Sequence, residues 1–393
     1  MSAVPSFDVA LVGAGLANGL IAAAITHLCP HLRVLVVDER ATFGSQKTWC
    51  FHAADVGEGT HTWHWLRPFV ARQWPGYLVK FPTYERAFAS AYHCITGEHF
   101  GQVLTDVLRN ATVRLRHTCT ISGRTIVLDT GERFEADVVF DGRGAAPVRQ
   151  GAGYQKFVGW EIELQAETGL TLPVLMDARV AQIDGYRFVY VLPLGARQLL
   201  VEDTYFSSDA ALNEGELEAR LRAYVAAAGW QVKNVVRVEK GVLPMPWAEQ
   251  SGASETSEEG VFEVGYKGGW FQPATGYSVP MAVAVANVVA RALLAAPAGH
   301  ERRRHVQTAL ASLRSRFDKP AAFYRLLNRL AFVGVHDEDR RGVFERFYRL
   351  PESLVARFYS GQTTWWDKAR ILGGKPPVPL HKFRLGRLME EAT

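Results

Sequence analysis

The chain has 393 residues, 48% hydrophobic and 21% charged, with a formal net charge of +4. This is an ordinary globular composition of roughly two domains with a sizeable core, and so small a net charge gives no indication of a nucleic-acid partner. The charge is uneven: residues 301–393 carry 19 Lys and Arg against 10 Asp and Glu, and residues 1–300 carry 25 against 30.

A basic C-terminal third suits either a solvated helical surface or one that meets an anionic membrane. Cys29, Cys50, Cys94 and Cys119 are scattered, without a C-x-x-C pair or a metal-ligand spacing, which suits a reduced, cytoplasmic chain. No signal peptide is read at the N-terminus. The most apolar stretch, Pro280–Pro297, holds Asn287 and Arg291 and is short for a span of about 20 residues. It reads as a buried Ala-rich helix, so any membrane contact is expected at the surface.

In chain order, Phe7–Val12 reads as a buried strand, Gly13–Gly19 as a glycine-rich turn, Leu20–Leu28 as an apolar helix and Val34–Val37 as a second strand closed by Asp38. These form one β-α-β unit. Residues 40–80 read as irregular. A helix is expected over Phe100–Arg109, and strands over Val113–Thr118, Thr125–Leu128 and Val138–Phe140. From Phe157 to Phe206 the pattern is all-β, with Tyr186–Leu192 and Gln198–Thr204 joined by a turn at Pro193–Arg197. A helix follows at Glu214–Ala228, then a polar loop at Glu249–Gly260, a strand at Phe262–Gly265 and a helix at Ser278–Leu294. The last third is helical; in Ala322–Val335, residues Phe323, Leu326, Leu327, Leu330 and Ala331 share one face.

The turn Gly13-Ala14-Gly15-Leu16-Ala17-Asn18-Gly19 carries a dinucleotide-binding pattern. Gly13 permits the tight turn, Gly15 lets the backbone approach a pyrophosphate, and the helix N-terminus offers N–H groups to the anion. Asp38 stands where a carboxylate accepts ribose hydroxyls. Asn18 replaces the third glycine of the pattern, which comes one step late at Gly19. Asp141-Gly142-Arg143-Gly144 resembles a second flavin-site signature of FAD enzymes of the aromatic-hydroxylase type, in which Arg149 fits a following arginine. Gly276, ahead of the late helix, fits the place where such enzymes return a helix N-terminus to the flavin. The expected cofactor is therefore FAD, bound by Gly13, Ala14, Gly15, Asn18, Asp38, Asp141, Gly142 and Gly276.

Glu202-Asp203 ends a strand that is apolar on both faces. A carboxyl buried there must be paired or protonated, and desolvation makes it a proton donor near neutral pH. Phe188 and Tyr190 alternate on one face of the partner strand and are expected to line the substrate wall. His61 and His64 have H-x-x-H spacing without an evident third ligand, so no metal is expected.

Several segments resemble bacterial lycopene β-cyclases: LVGAGLANGLI at 11–21, TWCFH at 48–52, YRFVYVLPL at 186–194, LVEDTYF at 200–206, PATGYSVPMAVAVA at 273–286 and ARILGGKPPVP at 369–379. Lys47 departs from the His expected there. The resemblance implies an α/β fold: a Rossmann-type FAD-binding domain, an antiparallel-sheet substrate domain and a helical C-terminal region. The expected division is 1–80, 100–150 and 260–300 for FAD, 81–99 and 151–259 for substrate, and 301–393 as a helical, basic, membrane-docking region. It implies non-redox cyclisation of the ends of lycopene to β-rings, giving β-carotene through γ-carotene, with Glu202 as acid and Asp203 as its support. The resemblance further implies that FAD acts reduced, with NAD(P)H as the electron donor. Two alternatives stay open: an FAD-dependent monooxygenase of the aromatic-hydroxylase type, and a non-catalytic carotenoid-binding flavoprotein.

Overall fold

The computed structural model describes residues 4–44, 47–57, 60–144, 151–248, 260–296, 298–374 and 378–384. Arg149 and residues 249–259 of the expected polar loop lie outside them. The first β-α-β unit stands where the sequence places it. Strand Ser6–Val12 is buried from Val9 onward, and strand Val34–Asp38 throughout. Between them helix Leu16–Leu28 is apolar all round and is buried from Leu16 to Ile25. Strands 112–115, 34–38, 6–12 and 133–141 lie side by side in parallel, and Val261–Glu263 runs parallel to the end of Arg133–Asp141. Strands 125–128 and 119–122 complete this first sheet in antiparallel fashion. Helix Val279–Ala295 packs with helix Leu16–Leu28 in the core of this half. No helix among the described residues is long and apolar enough to cross a membrane.

The second sheet has the order 232–246, 152–164, 198–207, 186–195, 174–177, 77–81, 84–88. Its long strands are antiparallel, as the period-2 pattern of 157–206 implies. Its edge strand Val232–Pro246 was not legible in the sequence: Val235 and Val236 are exposed, and register shifts interrupt the alternation.

Residues 40–80, expected to be irregular, hold strands Thr48–His52, Arg72–Trp74 and Tyr77–Phe81 and helices Ala53–Val56 and His61–Leu66. These elements are three to six residues long, too short for a period to show. Tyr77–Phe81 belongs to the second sheet, so the boundary drawn at residue 80 falls inside a strand. Tyr92–Thr96 pairs with Thr48–His52 and Arg72–Trp74 in a small third sheet. That sheet joins the halves: Phe51 and Ile95 sit in the core of the first, and Trp74, Tyr92 and Cys94 in the core of the second.

The C-terminal third contains a 34-residue helix, Gly299–Phe332. Its first half is tied to the first sheet by Arg302, which reaches Asp8 at 2.7 Å and Asp137 at 2.9 Å. Its second half lies on the second sheet, where the Phe332 ring fills the space beside Gly153. The apolar face expected over Ala322–Val335 is rotated. Leu326 is 43% exposed, whereas Tyr324 and Asn328 are buried. The Asn328 amide donates to the carbonyls of Pro246 and Pro273 at 2.9 and 2.8 Å, which turns a polar residue inward.

Strand Gln198–Ser207 is buried along all but its first residue. One face is covered by helix Glu214–Ala227 through Leu217, Leu221 and Val225. On that face Asp203, 0% exposed, is held by Arg187 at 2.7 and 3.2 Å and accepts from the Tyr205 hydroxyl at 2.7 Å. Replacing Arg187 with Met would leave this carboxylate buried without its cation, at about 3–5 kcal/mol. Urea unfolding of Arg187→Met is expected to show a loss of that order.

Candidate active site

Gly13 adopts a positive φ of 83°, which the tight turn requires and a side chain would resist. A Cβ on Gly15 would meet nothing within 4 Å, and the residue faces a cavity, so the backbone is open to a ligand there. Asn18 has a clear role in place of the missing glycine. Its Nδ2 donates to the carbonyls of Val12, Gly13 and Phe140 at 3.0, 2.7 and 3.2 Å. The amide thus staples the turn to the end of the neighbouring strand, and the lack of a side chain at Gly142 leaves room for it. Gly19 supplies close packing, since a Cβ there would lie 2.3 Å from the Phe100 ring.

Asp38 accepts the Ala14 N–H at 2.6 Å and both Nε and Nη2 of Arg40 at 2.8 and 2.7 Å. Burial pushes this carboxyl up, but those bonds outweigh it and hold it below the usual range. A ribose hydroxyl reaching Asp38 would share oxygens already bonded. Asp141 is built the same way, with Arg143 at 2.9 and 3.0 Å and Lys267 at 2.8 Å. Asp177 and Arg179 repeat the arrangement at 2.8 and 2.6 Å, so an Asp-x-Arg fork closes three strands. Gly13, Gly15, Asp38, Gly142 and Gly276 line the cavity, while Ala14, Asn18 and Asp141 stand behind that wall. Gly276 has a φ of 68° and comes three residues before helix Val279–Ala295.

The cavity, about 1330 Å³, runs from this turn to the inner face of the second sheet. It exceeds the 300–1,000 Å³ of an ordinary small-ligand site, so it has room for a cofactor and a second molecule. Register sets its far wall in rows. Tyr190, Glu202, Gly159 and Glu239 are neighbours across four strands, and Phe188, Thr204, Phe157 and Gly241 form the next row. Tyr186 and Phe206 continue the face. Helical residues Leu327, Phe332, Phe344, Phe347 and Phe358 close the other side.

Glu202 thus faces the cavity, and Asp203 faces away from it. Burial, then the charge of Glu239 and a hydrogen bond with it, pushes the Glu202 carboxyl well above the ordinary range. Glu239 is itself bonded to Arg237 at 2.5 Å and to the Thr48 hydroxyl at 3.1 Å. The Tyr190 hydroxyl meets that of Tyr92 at 3.0 Å, and Tyr92 meets Tyr277 at 2.8 Å. His52 is buried among these rings and kept neutral, its pKa driven down by burial to about 3. Lys47 is exposed at the cavity wall, one residue before strand Thr48–His52. Among the described residues no group of three His, Cys, Asp or Glu is placed to hold a metal.

Sequence reasoning missed Glu239, Thr204, Tyr92 and Tyr277. The Arg237-Val-Glu239 alternation was the available signal for the first. The open space at Gly15, the N-terminus of helix Leu16–Leu28 and the turn at Gly276 fit FAD at this end of the cavity.

The architecture is that of FAD-dependent oxidoreductases and monooxygenases. A geranylgeranyl bacteriochlorophyll reductase-like protein of Thermoplasma acidophilum superposes with a TM-score of 0.63 at 14% identity, covering 95% of this chain and 98% of that one. A probable FAD-dependent monooxygenase from Pseudomonas aeruginosa gives 0.58 at 15% identity, covering 86% and 100%. Residues 8–385 match the family described as lycopene cyclase protein, and the chain belongs to that family. It is 41% identical to a lycopene beta-cyclase of Pseudescherichia vulneris over 379 residues, 95% of each chain. It is 39% identical to one of Pantoea ananas over 377 residues, 96% of each.

The two glycines separate binding from folding. Gly15→Val is expected to weaken FAD binding in a flavin titration while costing no more than about 1 kcal/mol of stability, since Gly15 caps helix Leu16–Leu28 and valine is a poor cap. Gly19→Ala overpacks Phe100 and is expected to lower stability by about 1–3 kcal/mol in denaturant unfolding.

Proposed function

We propose that this protein is a lycopene β-cyclase that closes both ends of lycopene to β-rings, forming β-carotene by way of γ-carotene. The observation that carries this reading is a buried carboxyl, Glu202, set beside the Glu239 carboxyl and facing an apolar cavity that continues to the glycine turn, where burial and Glu239 push its pKa up. Glu202 delivers its proton to the terminal double bond, and the tertiary cation closes the six-membered ring. Proton loss then leaves the ring double bond, so no electrons are gained or lost overall.

The rings of Phe188, Tyr190 and Phe157 line the cavity beside Glu202. Aromatic faces stabilise a cation by about 0.5–2 kcal/mol each. The aromatic and aliphatic walls keep out the water that would otherwise capture it. Asp203 holds the strand through Arg187 and so fixes the position of Glu202. Gly13, Gly15, Asp38, Gly142 and Gly276 would line the FAD site, with Ala14, Asn18 and Asp141 shaping the turn behind it, and reduced FAD would supply negative charge in a low-dielectric site, with NAD(P)H needed only to reduce it.

The substrate is a hydrocarbon, and the route to it is membrane contact from the cytoplasmic side. Trp365 and Trp366 are 63% and 67% exposed on helix Trp365–Leu372, whose Ile371 and Leu372 line the cavity. Exposed tryptophans beside a basic surface suit a bilayer interface.

Anaerobic incubation with lycopene and pre-reduced FAD is expected to yield cyclic product without stoichiometric flavin oxidation; one-to-one oxidation would overturn the reading. Glu202→Gln should lower turnover by at least about 100-fold, with flavin still bound in the absorbance spectrum. Because only the protonated acid works, the rate should hold on the acid side of the raised Glu202 pKa and fall as pH rises through it. A pH–rate profile reads this directly. The Trp365→Ser/Trp366→Ser double variant should sediment less with anionic vesicles while still converting detergent-dispersed lycopene.

A further inference from the structure

Adjacent strands are about 4.8 Å apart, so side chains two strands apart ordinarily do not meet over the residue between them. Glu239 and Glu202 both pair with Gly159, from opposite sides of strand Ala152–Leu164. A Cβ at Gly159 would lie 2.5 Å from Glu202 Cγ. The missing side chain is therefore the room in which the two carboxyl groups meet, and they are hydrogen-bonded. Two ionised carboxylates are both acceptors and cannot make such a bond, so one proton is shared between them. The cation lies on the Glu239 side of the pair: Glu239 Oε2 takes the Arg237 guanidinium at 2.5 Å and the Thr48 hydroxyl at 3.1 Å. Both glutamates line the cavity.

We propose that Glu239 is the base that takes the proton from the cyclised cation, and that this proton returns to Glu202 across their hydrogen bond. The assignment rests on the reading of Glu202 as the acid. The balance closes within the pair. The Glu202 O–H bond breaks as a C–H bond forms at the terminal double bond, and the cation closes a C–C bond. A C–H bond next to the cationic carbon then breaks, its electrons form the ring double bond, and Glu239 receives the proton. Transfer from Glu239 to the Glu202 carboxylate restores the starting state, with no oxidant, reductant or external proton required. The cationic carbon has three neighbours that can lose a proton, giving β-, ε- or exocyclic double bonds. A fixed base on one side of the cation selects among them, so Glu239 also determines ring type.

Glu239→Gln keeps the size and a hydrogen bond to Glu202, and Arg237 keeps Glu161 at 2.6 Å, so the sheet should stay folded. Bound flavin and the melting temperature check this. In D2O with pre-reduced FAD, the variant is expected to form β-rings at least about 100-fold more slowly, and its residual cyclic product should be enriched in ε- or exocyclic ends. Lycopene recovered from it should carry more deuterium than lycopene recovered from wild type, because the cation forms and reverts through Glu202. Glu239→Asp should restore part of the β-ring rate. Wild-type rate and ring type in Glu239→Gln would overturn the proposal. So would a loss of turnover in which recovered lycopene carries no deuterium, since Glu239 would then act only through the Glu202 proton. Glu202→Gln measured in parallel should show neither product nor deuterium; near-normal turnover there would overturn the acid assignment instead.

Discussion

Taking a carboxyl group out of water is costly unless it gains a cation or keeps its proton. Strand Gln198–Ser207 meets that constraint twice, once on each face, with opposite solutions. On the helix-covered face Asp203 has Arg187 and Tyr205, and the result is a buried ion pair that fixes the strand. On the cavity face Glu202 meets a second carboxyl, and the result is a retained proton. Two neighbouring acids of nearly identical chemistry thus become a strut and a cavity-facing carboxyl with a raised pKa because a β-strand alternates its side chains.

Absent side chains matter as much as present ones. Gly15 leaves space facing a ligand, Gly19 leaves space for a ring of its own fold, and Gly159 leaves space for two carboxyls to touch. The glycine-rich turn marks Gly15 and Gly19 in the sequence, whereas Gly159 is distinguished only by its surroundings. The Asp-x-Arg forks at 38–40, 141–143 and 177–179 are a further device, neutralising carboxylates where strands end. Two of them sit at the glycine-turn end of the cavity, so the acids there are engaged in holding the turn and its neighbouring strand in place.

What could be read from the sequence was local or strongly patterned. The β-α-β unit, the all-β stretch 157–206, the opposed faces of Glu202 and Asp203, and the shared face of Phe188 and Tyr190 follow from spacing alone. Asn18 could not be understood that way, because one of its partners, Phe140, lies 122 residues along the chain. Glu239 was hidden for a related reason. Its strand is at a sheet edge, with exposed valines and register shifts, so the periodicity that marks a buried strand is blurred. The face of the long helix was misjudged because hydropathy counts Leu326 as core and Asn328 as surface, while backbone carbonyls across the gap reverse the order.

The 34-residue helix Gly299–Phe332 is about 50 Å long at 1.5 Å per residue. It is clamped to the first sheet through Arg302 and to the second through Asn328 and Phe332. A helix fastened at both ends braces the two sheets against each other, and Pro320, between the fastenings, removes one N–H from its hydrogen-bond ladder and so sets where the brace can bend.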